Sequence, residues 1–248
     1  MTHHTMHSYK FSKQTIEEIP SKETNNMKNK TTEIVFILDR SGSMAGLEED
    51  TIGGFNSMIE RQKKEDGEAY VSTVLFNHKS KVIHDRQPIT NINSLDKTTY
   101  YVSGSTALLD AIGNSIQHIK QVHKHLKKDS RPDKTIFFIT TDGLENASVK
   151  YSFPKIKKII EAQQEKEHWE FIFLGANIDS IQEANKMGIR KDRTFDYYCD
   201  DIGTKKNFNA ISNVLTKFRS DMDEEEIDES ILQEFSKVKE YYKSKHNI

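Results

Sequence analysis

The stretch EIVFILDRSGSM, residues 33–44, decides how the chain reads. Between Glu33 and Asp39 lies an unbroken apolar run, too short for a helix and without polar alternation, so it forms a strand buried on both faces. Strands of that texture belong to mainly parallel sheets with helices on either side. The residues after it are small and hydroxylated: Asp39, Ser41 and Ser43 place three oxygen-bearing side chains two residues apart. Gly42 lets the loop turn tightly between the serines, and Met44 is suited to plug the floor beneath them. Taken alone, Asp39, Ser41 and Ser43 read equally well as turn and capping groups, since such side chains often satisfy backbone amides after a strand.

Outward from this stretch, strand and helix alternate. TIGGFNSMIERQKK (51–64) spaces Ile52, Phe55, Met58 and Ile59 as a helix does, and its paired glycines predict close packing near the loop after Asp39. EAYVSTVLFN (68–77) and KVIHD (81–85) form two strands joined by a turn. STALLDAIGNSIQHIKQVHKHLKK (105–128) is one long amphipathic helix, and KTIFFITTD (134–142) a further buried strand. PKIKKIIEAQQEKE (154–167), WEFIFLGAN (169–177), IDSIQEANKMGI (178–189), RTFDYYC (193–199) and NFNAISNVLTKFRS (207–220) continue as helix, strand, short helix, strand and helix. The pattern predicts an α/β fold: a doubly wound, mainly parallel sheet with KVIHD as its one antiparallel edge and helices on both faces. DMDEEEIDES begins an extra C-terminal helix with Ile227, Ile231, Phe235 and Val238 on one stripe, which packs on the domain or serves a partner. The expected division is a tail without fixed structure over 1–30, the α/β domain over 31–220 and the amphipathic helix over 221–248.

In open α/β sheets ligands gather at the carboxyl ends of the strands. Asp39 and Asp142 each close a strand there, and the loop YVSGSTALLD (101–110) brings Ser103, Ser105 and Thr106 to the start of a helix. Two carboxylates and several hydroxyls on one edge, with no His or Cys among them, make a hard-oxygen site suited to Mg²⁺, with Mn²⁺ or Ca²⁺ as alternatives. A competing role for Thr106 is to cap the following helix.

The run DRSGS, with GST (104–106) and TTDG (140–143) downstream, resembles the metal-ion-dependent adhesion site of von Willebrand factor A-type domains, integrin inserted domains among them. The likeness spans residues 32–219. It implies that Ser41, Ser43 and Thr106 offer hydroxyls directly to the metal, that Asp39 and Asp142 hold it largely through water, and that an Asp or Glu carboxylate of a partner protein completes the shell. TIGGFNSMIERQKK, STALLDAIGNSI, TTDGLENAS and WEFIFLGANID further resemble compact bacterial and phage-borne proteins built on this domain.

The bulk figures leave these expectations standing. A formal net charge of −2 gives no general attraction to nucleic acid or to anionic membrane. The basic helix face HIKQVHKHLKK lacks aromatic residues to stack bases and reads as a solvated face. The single cysteine, Cys199, forms no internal disulfide and fits a reducing cytoplasm. No segment approaches the length of a spanning helix, and the first residues lack the apolar core of a leader. His3, His4 and His7 belong to the solvated tail, Trp169 to packing, and Glu145 and Asn146 to the rim of the site. No phosphate-loop, dinucleotide or nucleophile-elbow motif occurs, so a metal-dependent hydrolase or phosphoryl-transfer enzyme is the lesser reading. A structural assembly subunit stabilised by a metal is the third.

Overall fold

The computed structural model describes residues 30–176, 179–196 and 200–246; the first 29 residues and Cys199 lie outside them, and with them the expected tail, its histidines and the thiol. Six strands form one sheet: β1 (Thr31–Asp39), β2 (Glu68–Phe76), β3 (Ser80–Pro88), β4 (Lys134–Thr141), β5 (Glu170–Gly175) and β6 (Thr194–Asp196). Their order is β3-β2-β1-β4-β5-β6, and every pairing is parallel except that of β3 against β2. The KVIHD segment is therefore the antiparallel edge, as its short turn requires. The helices are α1 (Glu48–Gln62), α2 (Leu108–His125), α3 (Phe153–Glu167), α4 (Ser180–Lys186), α5 (Asp201–Arg219) and α6 (Glu224–His246).

Residues of the central strands alternate between two cores because successive side chains leave a strand on opposite faces. Ile34, Phe36, Leu38, Ile136 and Phe138 meet α1, α5 and α6 on one side. Val35, Ile37, Phe137, Ile139 and Phe171 meet α2 and α3 on the other. The chain winds from β1 out to β2 over the first face, then returns over the second to lay β4 on the far side of β1. The switch point lies between β1 and β4, where a crevice opens at the carboxyl edge.

Several helix starts differ from the sequence reading, and two of them have a visible cause in the bonding. α2 begins at Leu108, three residues later than expected, because the chain from Ser103 to Ala107 is bonded to neighbouring loops instead of to itself. α5 begins at Asp201, well before Asn207, because the Asp200 carboxylate accepts from the Gly203 amide and caps a turn that reads as a loop. The paired glycines of α1 also differ from expectation. A Cβ on Gly54 would run into the Phe208 ring of α5, whereas Gly53 faces open space. The close approach is thus between α1 and α5, not at the loop after Asp39.

The expected stripe of α6 is buried in the same core as β1, with Ile231 fully enclosed and Phe235 stacked on Phe195 at 4.1 Å. Arg193, completely buried, pairs with Glu170, Asp192 and Asp228, and so ties the first turns of α6 to β5. Trp169 packs as expected, stacked on Phe137. His84 is buried against Phe55 and bonded to Thr73.

Candidate metal centre

Asp39 ends β1 with its side chain at 0% exposure, beside the switch point. Its Oδ1 accepts from the Ser41 amide at 2.7 Å, and its Oδ2 accepts from the Thr141 hydroxyl at 2.7 Å. The second bond reflects register, since Leu38 lies opposite Thr140 in the parallel pair. The Asp39 carbonyl accepts from the buried Tyr100 hydroxyl at 2.6 Å. After Arg40 the chain makes a single 3-10 turn over Gly42–Met44, which sets the Ser41 and Ser43 hydroxyl oxygens 3.0 Å apart. Met44 is buried beneath them, as its position in the sequence suggests.

Three loops are stitched together here by backbone bonds. The Gly42 amide donates to the Gly104 carbonyl at 2.9 Å, and the Ser103 amide to the Arg40 carbonyl at 2.9 Å. A Cβ on Gly42 would press on that carbonyl, and Gly104, at φ +76°, turns against the His78 ring, so both positions suit glycine. Asn77 is buried and donates from Nδ2 to the Ser103 carbonyl at 2.8 Å. On the other side, Asn146 accepts from the Thr106 amide at 2.9 Å and donates its own amide to the Thr106 carbonyl at 3.0 Å. Thr106 is thereby clamped with its side chain buried.

Gly143 shows how closely the pieces meet. A Cβ built there would stand 3.1 Å from the Ser43 hydroxyl oxygen and 3.2 Å from that of Thr106. The Ser43 hydroxyl also bonds the Asp142 carboxylate, and Asp142 in turn acts electrostatically on Asp39. The five sequence-predicted residues, Asp39, Ser41, Ser43, Thr106 and Asp142, are therefore drawn to one edge by a continuous chain of contacts. Ser103 and Ser105 are not part of it: Ser103 serves Asn77, and Ser105 is exposed.

Burial, above all, holds the Asp39 carboxyl above its usual range, against the bonds from Thr141 and Ser41; the charge of Asp142 adds to the rise. Burial does the same to Asp142, against the Ser43 bond. Carboxylates taken out of water and set near one another favour a proton or a cation. Among the described residues no three His, Cys, Asp or Glu side chains gather as a metal group, so a cation here would draw on the hydroxyls as well as on the two carboxylates. The donor set present, hydroxyls and carboxylates without nitrogen or sulfur, fits a hard divalent ion.

The helix-capping alternative for Thr106 fails. Glu145 does that work: its Oε2 accepts from the Leu109 amide at 2.8 Å, and its Oε1 from the Ala147 and Ser148 amides. A carboxylate at the first turn of α2 also suits the helix dipole. Both oxygens are engaged, so Glu145 belongs to the frame and not to the ligand set. Replacing it should loosen the loop that carries Asn146: Glu145→Ala lowers unfolding free energy by roughly 1–2 kcal/mol, the cost of a lost cap, in urea denaturation. Equal midpoints for variant and wild type would contradict that role.

Sequence reasoning passed over Arg40, Tyr100 and Thr141. Arg40 is 5% exposed, with its guanidinium 4.6 Å from the centre of the Tyr101 ring. The second threonine of TTDG was the legible signal for Thr141, since parallel register places it beside Asp39. Nothing local marks Tyr100, which reaches Asp39 through the fold alone.

The sequence matches the family described as von Willebrand factor type A domain over residues 33–211, well over half of the chain. The chain belongs to the von Willebrand factor type A domain family. Solved structures share this domain's fold at low identity. Proximal thread matrix protein 1 from the mussel byssus is 15% identical, with a TM-score of 0.53, over 76% of this chain and 46% of its own. The pilus adhesin SpaC from Lactobacillus rhamnosus GG is 11% identical, with a TM-score of 0.56, over 76% of this chain and 30% of its own. The von Willebrand factor domain of the pilus tip protein Mfa5 from Porphyromonas gingivalis is 8% identical, with a TM-score of 0.55, over 79% and 98%. This von Willebrand factor type A chain thus spans less than half the length of the byssus protein. No curated protein sequence matches it.

Proposed function

We propose that this domain is a divalent-cation-dependent protein-binding module that captures an acidic side chain of a partner. The observation that carries the reading is the meeting of the Ser43 and Thr106 hydroxyls at Gly143, with Ser41 and Asp142 both bonded to Ser43. Ser41, Ser43 and Thr106 would hold the ion, with Asp39 and Asp142 behind them; Mg²⁺ suits this oxygen set, and Mn²⁺ or Ca²⁺ would fit it too. The ion would supply positive charge that neutral hydroxyls leave largely uncancelled, and an Asp or Glu carboxylate of the partner answers that charge. Tyr101 and Leu144, each about half exposed in the flanking loops, offer apolar contact to the residues around that carboxylate.

A structure of the byssus protein carries a zinc-occupied MIDAS motif, and that protein is 14% identical to this chain with a TM-score of 0.51, which supports a divalent ion at this edge. SpaC is named an adhesin, in keeping with binding and not catalysis. No helix among the described residues is long and apolar enough to cross a membrane. We place the protein in the cytoplasm on its single cysteine and assign it no nucleic-acid or membrane partner.

Capture of proteins from an extract of the source cell tests the reading. A band retained in 5 mM Mg²⁺, ~5 mM being a working excess over ordinary weak-site affinities, should fall at least tenfold with chelator and with Ser41→Ala. A band retained equally in chelator would refute it, and metal-dependent turnover of a phosphoester would favour an enzyme.

A further inference from the structure

Asn146 stands exposed at the candidate metal edge, on the loop after β4, where its side-chain oxygen accepts from the Thr106 amide at 2.9 Å. A backbone N–H only donates, so the atom facing it is Oδ1, and the planar carboxamide carries its donor, Nδ2, at the remaining corner. Among the described residues Nδ2 makes no hydrogen bond.

The direction of that donor is set by the fold. The Asn146 amide donates to the Thr106 carbonyl at 3.0 Å, so backbone and side chain of one residue bracket Thr106. Turning Nδ2 elsewhere would break the bond to the Thr106 amide. The loop itself is fixed, because Glu145 Oε1 accepts from the Ala147 and Ser148 amides at 2.9 and 2.7 Å. The other polar side chains of residues 143–148 are occupied: Glu145 with both oxygens, and the Ser148 hydroxyl between Glu145 and the Asp110 amide. Nδ2 is what this loop leaves for an incoming ligand, and it stands beside the residue whose hydroxyl would hold the ion.

The inference that follows rests on the metal-dependent capture proposed above, in which the ion takes one oxygen of the partner's carboxylate. We propose that Asn146 takes the other: its Nδ2 donates to the carboxylate oxygen that does not touch the ion, and Asn146 is thereby a residue that tells Asp or Glu from Asn or Gln. A carboxylate presents an acceptor at each corner. A carboxamide with its carbonyl on the ion would turn an NH₂ group toward Nδ2, donor against donor. The ion's charge selects for an anion, and the hydrogen bond fixes the plane in which that anion lies.

Acetate, which carries the carboxylate of an aspartate side chain, is the probe. In magnetic resonance spectra of the isotope-labelled full chain with Mg²⁺, acetate should shift the Asn146 side-chain NH₂ pair saturably, and acetamide should leave it in place. The pair is identified by its loss in Asn146→Ser, a variant that keeps the charge of the edge and offers a hydroxyl to the Thr106 amide. Acetate affinity in that variant should fall about tenfold, the scale of one hydrogen bond to a charged group, and by more than its Mg²⁺ affinity falls. Equal losses of both would make Asn146 only a clamp on Thr106 and overturn the inference, as would a shift of equal affinity with acetamide. Acetate shifts at the Ser43 and Thr106 amides with the Asn146 pair unmoved would overturn it while leaving the metal reading in place. No acetate-dependent shift at this edge in Mg²⁺ would remove both.

Discussion

Saturating Mg²⁺ raises the melting temperature of the wild-type protein by roughly 5–10 °C, and Asp39→Ala removes that gain. The size comes from mass action: a ligand that binds only the folded state at one hundred times its dissociation constant adds about 2.7 kcal/mol. In a domain of this length each kcal/mol moves the midpoint by about 2–4 °C. The gain has a source in the structure, because burial holds Asp39 and Asp142 above the usual carboxylate range, an unfavourable state that a cation relieves. The same burial fixes the sign of the pH dependence. An acid whose folded pKa is raised binds protons more strongly in the native state, so its contribution falls as pH rises from the ordinary carboxylate range through the raised values. Mg²⁺ opposes that fall, and the thermal gain should be greater at pH 7 than at pH 5. Scanning calorimetry with and without Mg²⁺ reads both effects; identical melts in the two conditions would remove the metal from the account.

The second large effect is expected at Gly143. Gly143→Ala places a methyl group 3.1 Å from the Ser43 hydroxyl oxygen and 3.2 Å from that of Thr106, closer than such contacts ordinarily come. The two hydroxyls must part, and they are the ones that would share an ion. The Thr106 backbone is held by Asn146 and the Ser43 loop by Gly104, so the strain falls on the hydroxyls' own positions. Metal affinity measured by calorimetric titration should drop by at least tenfold, about 1.4 kcal/mol. The fold should survive, since the residue stands at the solvent edge of the sheet. Undiminished affinity would mean that Ser43 and Thr106 do not hold the ion together.

The same residues show how far a sequence reaches. EIVFILD announced a fully buried parallel strand because an apolar run of that length has no other stable place, and the alternation of such runs with amphipathic segments fixed the layered α/β architecture. Asp39, Ser41, Ser43, Thr106 and Asp142 were legible as candidates for a related reason: small oxygen-bearing residues at strand ends are local features that need no tertiary knowledge to notice. The early start of α5 was not legible, because one aspartate accepting one amide is a weak signal beside a glycine.

Tertiary structure alone decided how the hydroxyls meet. A capping role competed for Thr106 until the fold brought Glu145 across to take that place, and Ser103, on the same loop, is engaged by Asn77. Tyr100 reaches the Asp39 carbonyl across 61 positions of chain, and Thr141 reaches its carboxylate across 102. Periodicity records which face of an element is buried, since that is a property of neighbouring residues. The partner a side chain finds across a loop depends on register and winding, which are set only when the whole sheet has closed around its core.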